Sequence, residues 1–142
     1  MPKLEKLSYY VNPQVAIVPG SKSTGAVTAV AVDANSFDRV QYVISVGAIG
    51  AGGVFDASVT EGTTASATYT AIATSGMVAI TAADANALII IDVPVSSGSP
   101  FQKLLSTVAT AAIGICAVAN CYNGTRPLGT ALGDVTEEVY KA

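Results

Sequence analysis

The chain lacks the residues on which most catalysis depends. It has no histidine and no tryptophan, and only 7 basic and 10 acidic residues among 142. Most enzymes use a group that titrates near neutral pH, a set of metal ligands or a charged residue that holds the substrate. Without histidine, a Ser–His or Cys–His pair cannot form. The sequence therefore predicts a binding or assembly protein without catalytic residues, cofactor or metal, rather than an enzyme.

Basic residues are also missing from the middle of the chain. No lysine or arginine lies between Val40 and Gln102, and the net charge is −3. A nucleic-acid-binding surface needs a basic patch or stripe, so we expect no nucleic-acid partner. Charged residues make up 12% of the chain, against about 25% in an ordinary globular domain. This scarcity predicts that other protein molecules cover much of the surface.

Long apolar segments are absent as well. Leu104–Thr125 carries no charge, but it is rich in alanine, serine, threonine and asparagine. A membrane-spanning helix needs about 20 strongly apolar residues, so we favour a pair of buried strands and expect no membrane partner. The N-terminal residues show no apolar segment of the kind found in secretory signals. We therefore expect synthesis in a reducing cytoplasm.

The two cysteines are predicted to stay reduced. Cys116 and Cys121 are five residues apart, so in one strand they would lie on opposite faces and roughly 16 Å apart. That separation is too large for a disulfide bond. We interpret both as small core residues.

The residues that are abundant favour β-structure. Apolar residues make up 51% of the chain but aromatic residues only 6%, so the core must consist of small and branched side chains, which suit sheets. We predict an all-β fold, a β-sandwich or jelly roll of seven or eight short antiparallel strands. The alternative is a helix over Leu104–Ala119, which would give an α+β fold.

Three parts of the chain are distinguished by their pattern. Prolines and glycines in residues 1–25 predict an extended N-terminal arm, with a short edge strand at Gln14–Val18. Residues 26–128 form the predicted sandwich domain, and residues 129–142 a loose C-terminal tail. Alternation of apolar and polar residues is clearest at Arg39–Val46.

Turn residues separate the other predicted elements. Gly47–Gly53 is a glycine-rich hairpin loop, because a strand pattern follows it where a phosphate-binding loop would need a helix. Thr81–Asp84 has the pattern of a capped helical turn. The further predicted strands are Ala26–Val32, Val54–Glu61, Ser66–Ala73, Met77–Thr81, Leu88–Val95, Lys103–Ala109 and Gly114–Cys121.

The arm is too apolar to be a solvated tail. We expect it to dock on its own domain or on a neighbouring molecule, and we consider Gln14–Val18 a candidate for a strand donated to a neighbour. The predicted assembly contacts are Tyr9, Tyr10, Gln14, Val15, Ile17 and Val18.

Three segments resemble the structural proteins of tailed bacteriophages. In Phe37–Gly47, an aspartate–arginine pair opens a strand that ends in glycine. Ser99–Val108 is similar to the strand that follows a proline–aromatic turn in those proteins, and Asn123–Pro127 resembles their Arg-Pro end. The chain departs from the pattern at Lys103-Leu104-Leu105, where the usual strand is rich in arginine.

The resemblance implies a capsid decoration protein, also called a cement or head-stabilising protein. Such a protein would bind the major capsid protein on the outside of the virion, as a homo-oligomer, either a dimer or a trimer. Two alternatives stay open. One is a structural protein of the phage tail or tail tip, and the other is a carbohydrate-binding β-sandwich, which would need exposed aromatic side chains such as Tyr42, Tyr69 or Tyr122.

Overall fold

The computed structural model describes residues 11–73 and 75–122, together with the backbone of residues 135–140. In these residues the chain forms strands and one turn of 3-10 helix at Ala82–Asp84. The strands are β1 (Val11–Lys22), β2 (Gly25–Val27), β3 (Val32–Asp33), β4 (Arg39–Ile49), β5 (Val54–Gly62), β6 (Thr70–Ala71), β7 (Ile80–Thr81), β8 (Leu88–Pro94), β9 (Phe101–Ala109), β10 (Ile113–Tyr122) and β11 (Val135–Tyr140).

The strands form two sheets. Sheet I has the order β1-β10-β4-β8-β11, and sheet II has the order β2-β9-β5-β6, with β3 also paired to β9 and β7 to β5. Every pairing is antiparallel except that of β11 with β8. The predicted all-β sandwich is therefore confirmed, and the helix considered over Leu104–Ala119 is replaced by β9 and β10.

Alternation along the strands builds the core between the two sheets. In β4 the inward residues Val40, Tyr42, Ile44 and Val46 are at most 2% exposed, and in β10 every second residue from Ile113 to Cys121 is buried. Residues of both sheets belong to one cluster of buried side chains. Alanine is frequent at these positions, and a small side chain lets the facing sheet approach closely.

Some predicted strands are shorter than expected. Ala26–Val32 divides into β2 and β3, and of Ser66–Ala73 only Thr70–Ala71 forms a strand. Beyond β6 the chain follows the edge of β5 through isolated bonds, from the Ile72 amide to the Val59 carbonyl (2.9 Å) and from the Met77 amide to the Ala57 carbonyl (3.0 Å).

A serine side chain takes the place of backbone in this segment. The buried Ser75 hydroxyl accepts a hydrogen bond from the Val59 amide at 2.9 Å and lies 2.8 Å from the Ile72 carbonyl oxygen. The alternation of apolar and polar residues cannot predict these hydrogen bonds of the Ser75 side chain, because they are not part of a regular strand ladder.

The two ends of the chain also differ from a simple arm and tail. In the described part of the predicted arm, residues 11–22 are the first strand of sheet I, and β1 pairs with β10 of the same chain. In the predicted tail, Val135–Tyr140 forms β11 beside β8. The glutamates at its centre weaken the strand pattern, so the sequence did not predict it. The division of the chain at residues 25 and 128 stays a prediction.

Both cysteines are free and occupy opposite faces of β10, as predicted, but the interpretation of both as core residues is wrong for Cys116, because its position in the alternation turns it to the outer face. Cys121 is fully buried and points inward, whereas Cys116 is partly exposed on the outer face. The predicted helical turn at Thr81–Asp84 is confirmed as the 3-10 turn, in which the Thr81 amide donates to the Asp84 carboxylate at 3.1 Å.

One polar pair crosses the core. The Tyr42 hydroxyl, on β4 of sheet I, donates to Gln102 Oε1 on β9 of sheet II at 3.2 Å, and Gln102 Nε2 donates to the Pro94 carbonyl at 3.0 Å. Tyr42 and Gln102 are both fully buried, so neither can exchange its partner for water. This pair fixes the lateral position of one sheet on the other.

We predict that Tyr42→Phe destabilises the fold by about 1–3 kcal/mol, because it leaves the buried Gln102 oxygen without its tyrosine donor. Urea denaturation would give the free energy of unfolding. Tyr69→Phe is the matched control, since the Tyr69 hydroxyl is bonded to exposed backbone carbonyls and its loss should cost little. Equal effects of the two substitutions would contradict the role assigned to the pair.

Candidate assembly surface

The six predicted contact residues fall into different environments. Tyr9 and Tyr10 lie outside the described residues. Ile17 is 0% exposed and belongs to the core, so it is not available to a partner while β1 stays in place. Val15 and Val18 are 49% and 56% exposed. Gln14 is partly buried and is used within the chain.

The Gln14 side chain joins the two sheets. Its Nε2 donates to the Asp33 carbonyl at 2.7 Å, and its Oε1 accepts from the Asp33 amide at 3.0 Å. The amide group therefore pairs with the backbone of β3 as another strand would. Gln14 Nε2 also lies 3.6 Å from Cys121 Sγ. We call this pair of hydrogen bonds between Gln14 and Asp33 the Gln14 clamp.

Val15 begins a row of aliphatic side chains on the outer face of sheet I. The strand registers place Val15 of β1 beside Val118 of β10, Val118 beside Val43 of β4, and Val43 beside Ile90 of β8. Val118 is 40% exposed and Val43 is intermediate, whereas Ile90 is 1% exposed. We call Val15, Val118 and Val43 the valine row.

The outer face around the valine row carries no charge in the described parts of β1, β10 and β4 until Arg39 is reached. On one side the row is followed by Pro13, Asn120 and Gln41, and Asn120 Nδ2 donates to Gln41 Oε1 at 3.4 Å. On the other side lie Cys116 and Ser45, which are register partners. A neutral apolar strip with amide groups beside it suits contact with another protein better than contact with an ion.

A charged cluster closes one end of this face. Arg39 Nε donates to Asp92 Oδ1 at 2.6 Å, and the Tyr122 hydroxyl donates to Asp92 Oδ2. Asp92 is 1% exposed, while the Arg39 side chain is 21% exposed. The three residues come from β4, β8 and β10, so the cluster links three strands of sheet I. Both carboxylate oxygens have partners, as a buried carboxylate requires.

This environment shifts the protonation of both partners of Asp92. Burial, together with the hydrogen bond to Asp92, raises the pKa of Tyr122 from 10.0 to about 12. Burial alone would lower the pKa of Arg39, but hydrogen bonding to Asp92 and its charge outweigh burial, and the Arg39 pKa is raised. Tyr122 is therefore a neutral donor and Arg39 a cation at physiological pH.

The free edge of β1 is poorly suited to receive another strand. Pro13 and Pro19 lack an amide hydrogen, and the Ala16 carbonyl already accepts from the Val30 amide at 2.8 Å. Prolines on an edge strand oppose pairing with a further strand. Within Gln14–Val18, the candidate for donation to a neighbour, Gln14, Val15 and Ile17 pair with β10 of their own chain.

The outer face of sheet II has a different character. Leu105 is 54% exposed, but its register partner across β5 is Ser58, and the next pair is Asp56 with Thr107. Lys103 lies over the Tyr69 ring, with its Nζ 4.5 Å from the ring centroid. Leu105 is thus a single apolar residue among polar ones, which is ordinary for a protein surface.

The glycine-rich segment forms a tight hairpin. It continues β4 to Ile49 and turns at Gly50–Gly53 into β5. A side chain at Gly53 would come within 2.7 Å of Ile49 Cγ2, so this position must stay small. The structure thus confirms a hairpin loop followed by a strand.

The described residues contain no group of three or more cysteine and acidic side chains arranged to hold a metal ion. No helix in the described part of the chain has the length and hydropathy needed to span a membrane.

The sequence was compared with known proteins. No protein-family model matches the chain. No curated protein matches it either.

Sequence reasoning identified Val15 but missed the rest of the surface. Val43, Val118 and Val15 are far apart in the chain and become neighbours only through the strand registers. The charged cluster was missed for the same reason, because 53 residues separate Arg39 from Asp92. The alternation in β4 and β10 was the available signal, since it placed Arg39 and Val43 on one face.

We predict that the protein loses stability between about pH 10 and pH 12, the window set by the Tyr122 pKa. In this window the unfolded chain loses the tyrosine proton while the folded chain keeps it, so the free energy of unfolding falls as the pH rises. Tyr122→Phe should be less stable at pH 8 but should lose less stability over this window. Urea denaturation across the pH range measures both, and the difference between wild type and Tyr122→Phe separates Tyr122 from Tyr42, Tyr69 and Cys121, whose pKa values burial also raises. An unchanged pH slope in Tyr122→Phe would contradict the assignment.

Proposed function

We propose that this chain is a structural virion protein that binds the outer surface of a phage capsid and stabilises it. The observation that carries the proposal is the valine row, which lies on a part of the outer face of sheet I that carries no charge between β1 and Arg39. The proposed partner is the major capsid protein, and the proposed functional form is a homo-oligomer. The jelly-roll topology and the location on the capsid exterior belong to the same proposal.

The physical requirements of a decoration protein agree with this arrangement. A shell presents the same site many times, so each contact can be weak if linked copies bind together. Val15 and Val118 offer a small apolar contact rather than the large surface of an obligate interface. The Tyr42–Gln102 pair and the Arg39–Asp92 ion pair stiffen the sandwich behind that contact. Binding of this kind needs no titratable catalytic group.

The carbohydrate-binding alternative has less support from the tyrosines. A sugar platform needs an exposed aromatic face. Tyr42 is fully buried, Tyr69 is covered on one side by Lys103, and Tyr122 is engaged with Asp92. No specific observation favours a place in the tail over one on the capsid, and the binding experiment below separates the two.

We predict that Val15→Asp and Val118→Asp each weaken binding to capsids of the protein's own virus by tenfold or more. A carboxylate placed in an apolar contact loses its hydration without gaining a partner. Both residues are exposed in the free chain, so the fold should be retained. Co-sedimentation with expanded capsids over a range of protein concentrations gives the affinity.

Leu105→Asp is the matched control, because it adds the same charge at a similarly exposed position on the opposite face. The proposal fails if Leu105→Asp weakens binding as much as the valine-row variants, or if the wild-type chain binds tails and not capsids. Deletion of residues 1–20 is a poorer test, since it removes the core residues Ala16 and Ile17 along with the exposed ones.

A further inference from the structure

A single short link attaches β1 to the rest of the described chain on its C-terminal side. β1 ends at Lys22 in sheet I, and β2 begins at Gly25 in sheet II, so only Ser23 and Thr24 cross between the sheets. Both crossing residues are exposed. The backbone turns here with the help of Gly25, whose φ of +117° is rarely adopted by other residues.

The remaining contacts of β1 do not depend on that link. They are its pairing with β10, the burial of Ala16 and Ile17, the Gln14 clamp and the bond from the Val30 amide to the Ala16 carbonyl. A second copy of the same strand, entering from another molecule, would make each of these contacts equally well.

The ladder between β1 and β10 is interrupted. Its register shifts between Val15 and Ile17 and again between Ile17 and Gly20. Such irregularities leave residues unpaired and locally disrupt the ladder. An edge strand with two interruptions and two prolines is easier to detach than a regular one, although its buried side chains require that something refill the vacated site.

We infer that β1 is exchanged between two copies of this chain, so that each copy's β1 completes sheet I of the other. Short connections favour such exchange, because a strand on a short link folds back on its own chain with difficulty, while the strand contacts are kept when it pairs with a second copy.

The surface charge is compatible with a close pair of copies. Between Val11 and Thr24 the only charged residue is Lys22, and the net charge of −3 gives little repulsion between two chains. Because the exchanged contacts are identical to those within one chain, the balance depends mainly on the protein concentration and on the link. The exchange rests on the homo-oligomer of the proposed function and specifies how its copies are joined, but it requires no contact with a capsid.

The test traps β1 on its partner strand with a disulfide bond. In a Cys116→Ser background, Val15→Cys and Val118→Cys place two thiols at register partners on β1 and β10, where the backbone spacing permits a disulfide bond. After equilibration at high concentration, dilution and oxidation, a non-reducing denaturing gel should show a covalent dimer. A monomer with an internal disulfide bond would overturn the inference.

A second disulfide pair controls for random cross-linking. Val43→Cys with Val118→Cys, in the same background, joins β4 to β10 without involving β1. This variant should run as a monomer, and a dimer equal to that of the first variant would overturn the inference. The wild-type capsid affinity is measured separately, so failure of the exchange leaves the proposed function standing.

A longer link gives an independent readout. Insertion of four glycine and serine residues between Ser23 and Thr24 lengthens the link, so that β1 folds back on its own chain more easily, and should shift the chain toward monomer in sedimentation velocity. An unchanged dimer fraction would contradict the role assigned to the short link, and a wild-type chain that stays monomeric at high concentration would contradict the exchange itself.

Discussion

The double pairing of β10 is the constraint on which the rest of sheet I depends. β10 lies between β1 and β4 and pairs with both along nearly its whole length. Its inward side chains are the small or branched residues of the core, and its outward side chains include Val118 and Tyr122. One strand thus supplies buried side chains to the core, the central residue of the valine row and one member of the charged cluster.

Polar groups then determine how the sheets are held in place. In a core with few aromatic residues, small side chains fill the space but only weakly prevent one sheet from sliding over the other, because side chains of similar shape can pack in more than one arrangement. The Tyr42–Gln102 pair and the Gln14 clamp each join sheet I to sheet II through directional bonds. The Arg39–Asp92 ion pair acts within sheet I, and loss of Arg39 would leave the buried Asp92 carboxylate without its charged partner.

The sequence predicted much of the local structure because its information is local. The strand at β4 follows from alternation, and the opposite faces of Cys116 and Cys121 follow from a period of two. The fold class followed from composition and turn spacing. Strand registers are not local, so the neighbours of Val15 could not be predicted. β11 was missed because a parallel strand with glutamates at its centre has no clear alternation of its own.

The proposed capsid contact and the proposed strand exchange both involve β1, but they use different parts of it. The proposed capsid contact would use the outer face of β1, where Val15 is exposed. The proposed strand exchange would use the pairing edge of β1 toward β10 and its inner face, where Ile17 is buried. Since a strand presents its two faces and its pairing edge independently, an exchanged β1 would still expose Val15. An exchanged pair would therefore carry two valine rows, and each row would raise the effective concentration of the other at a neighbouring capsid site.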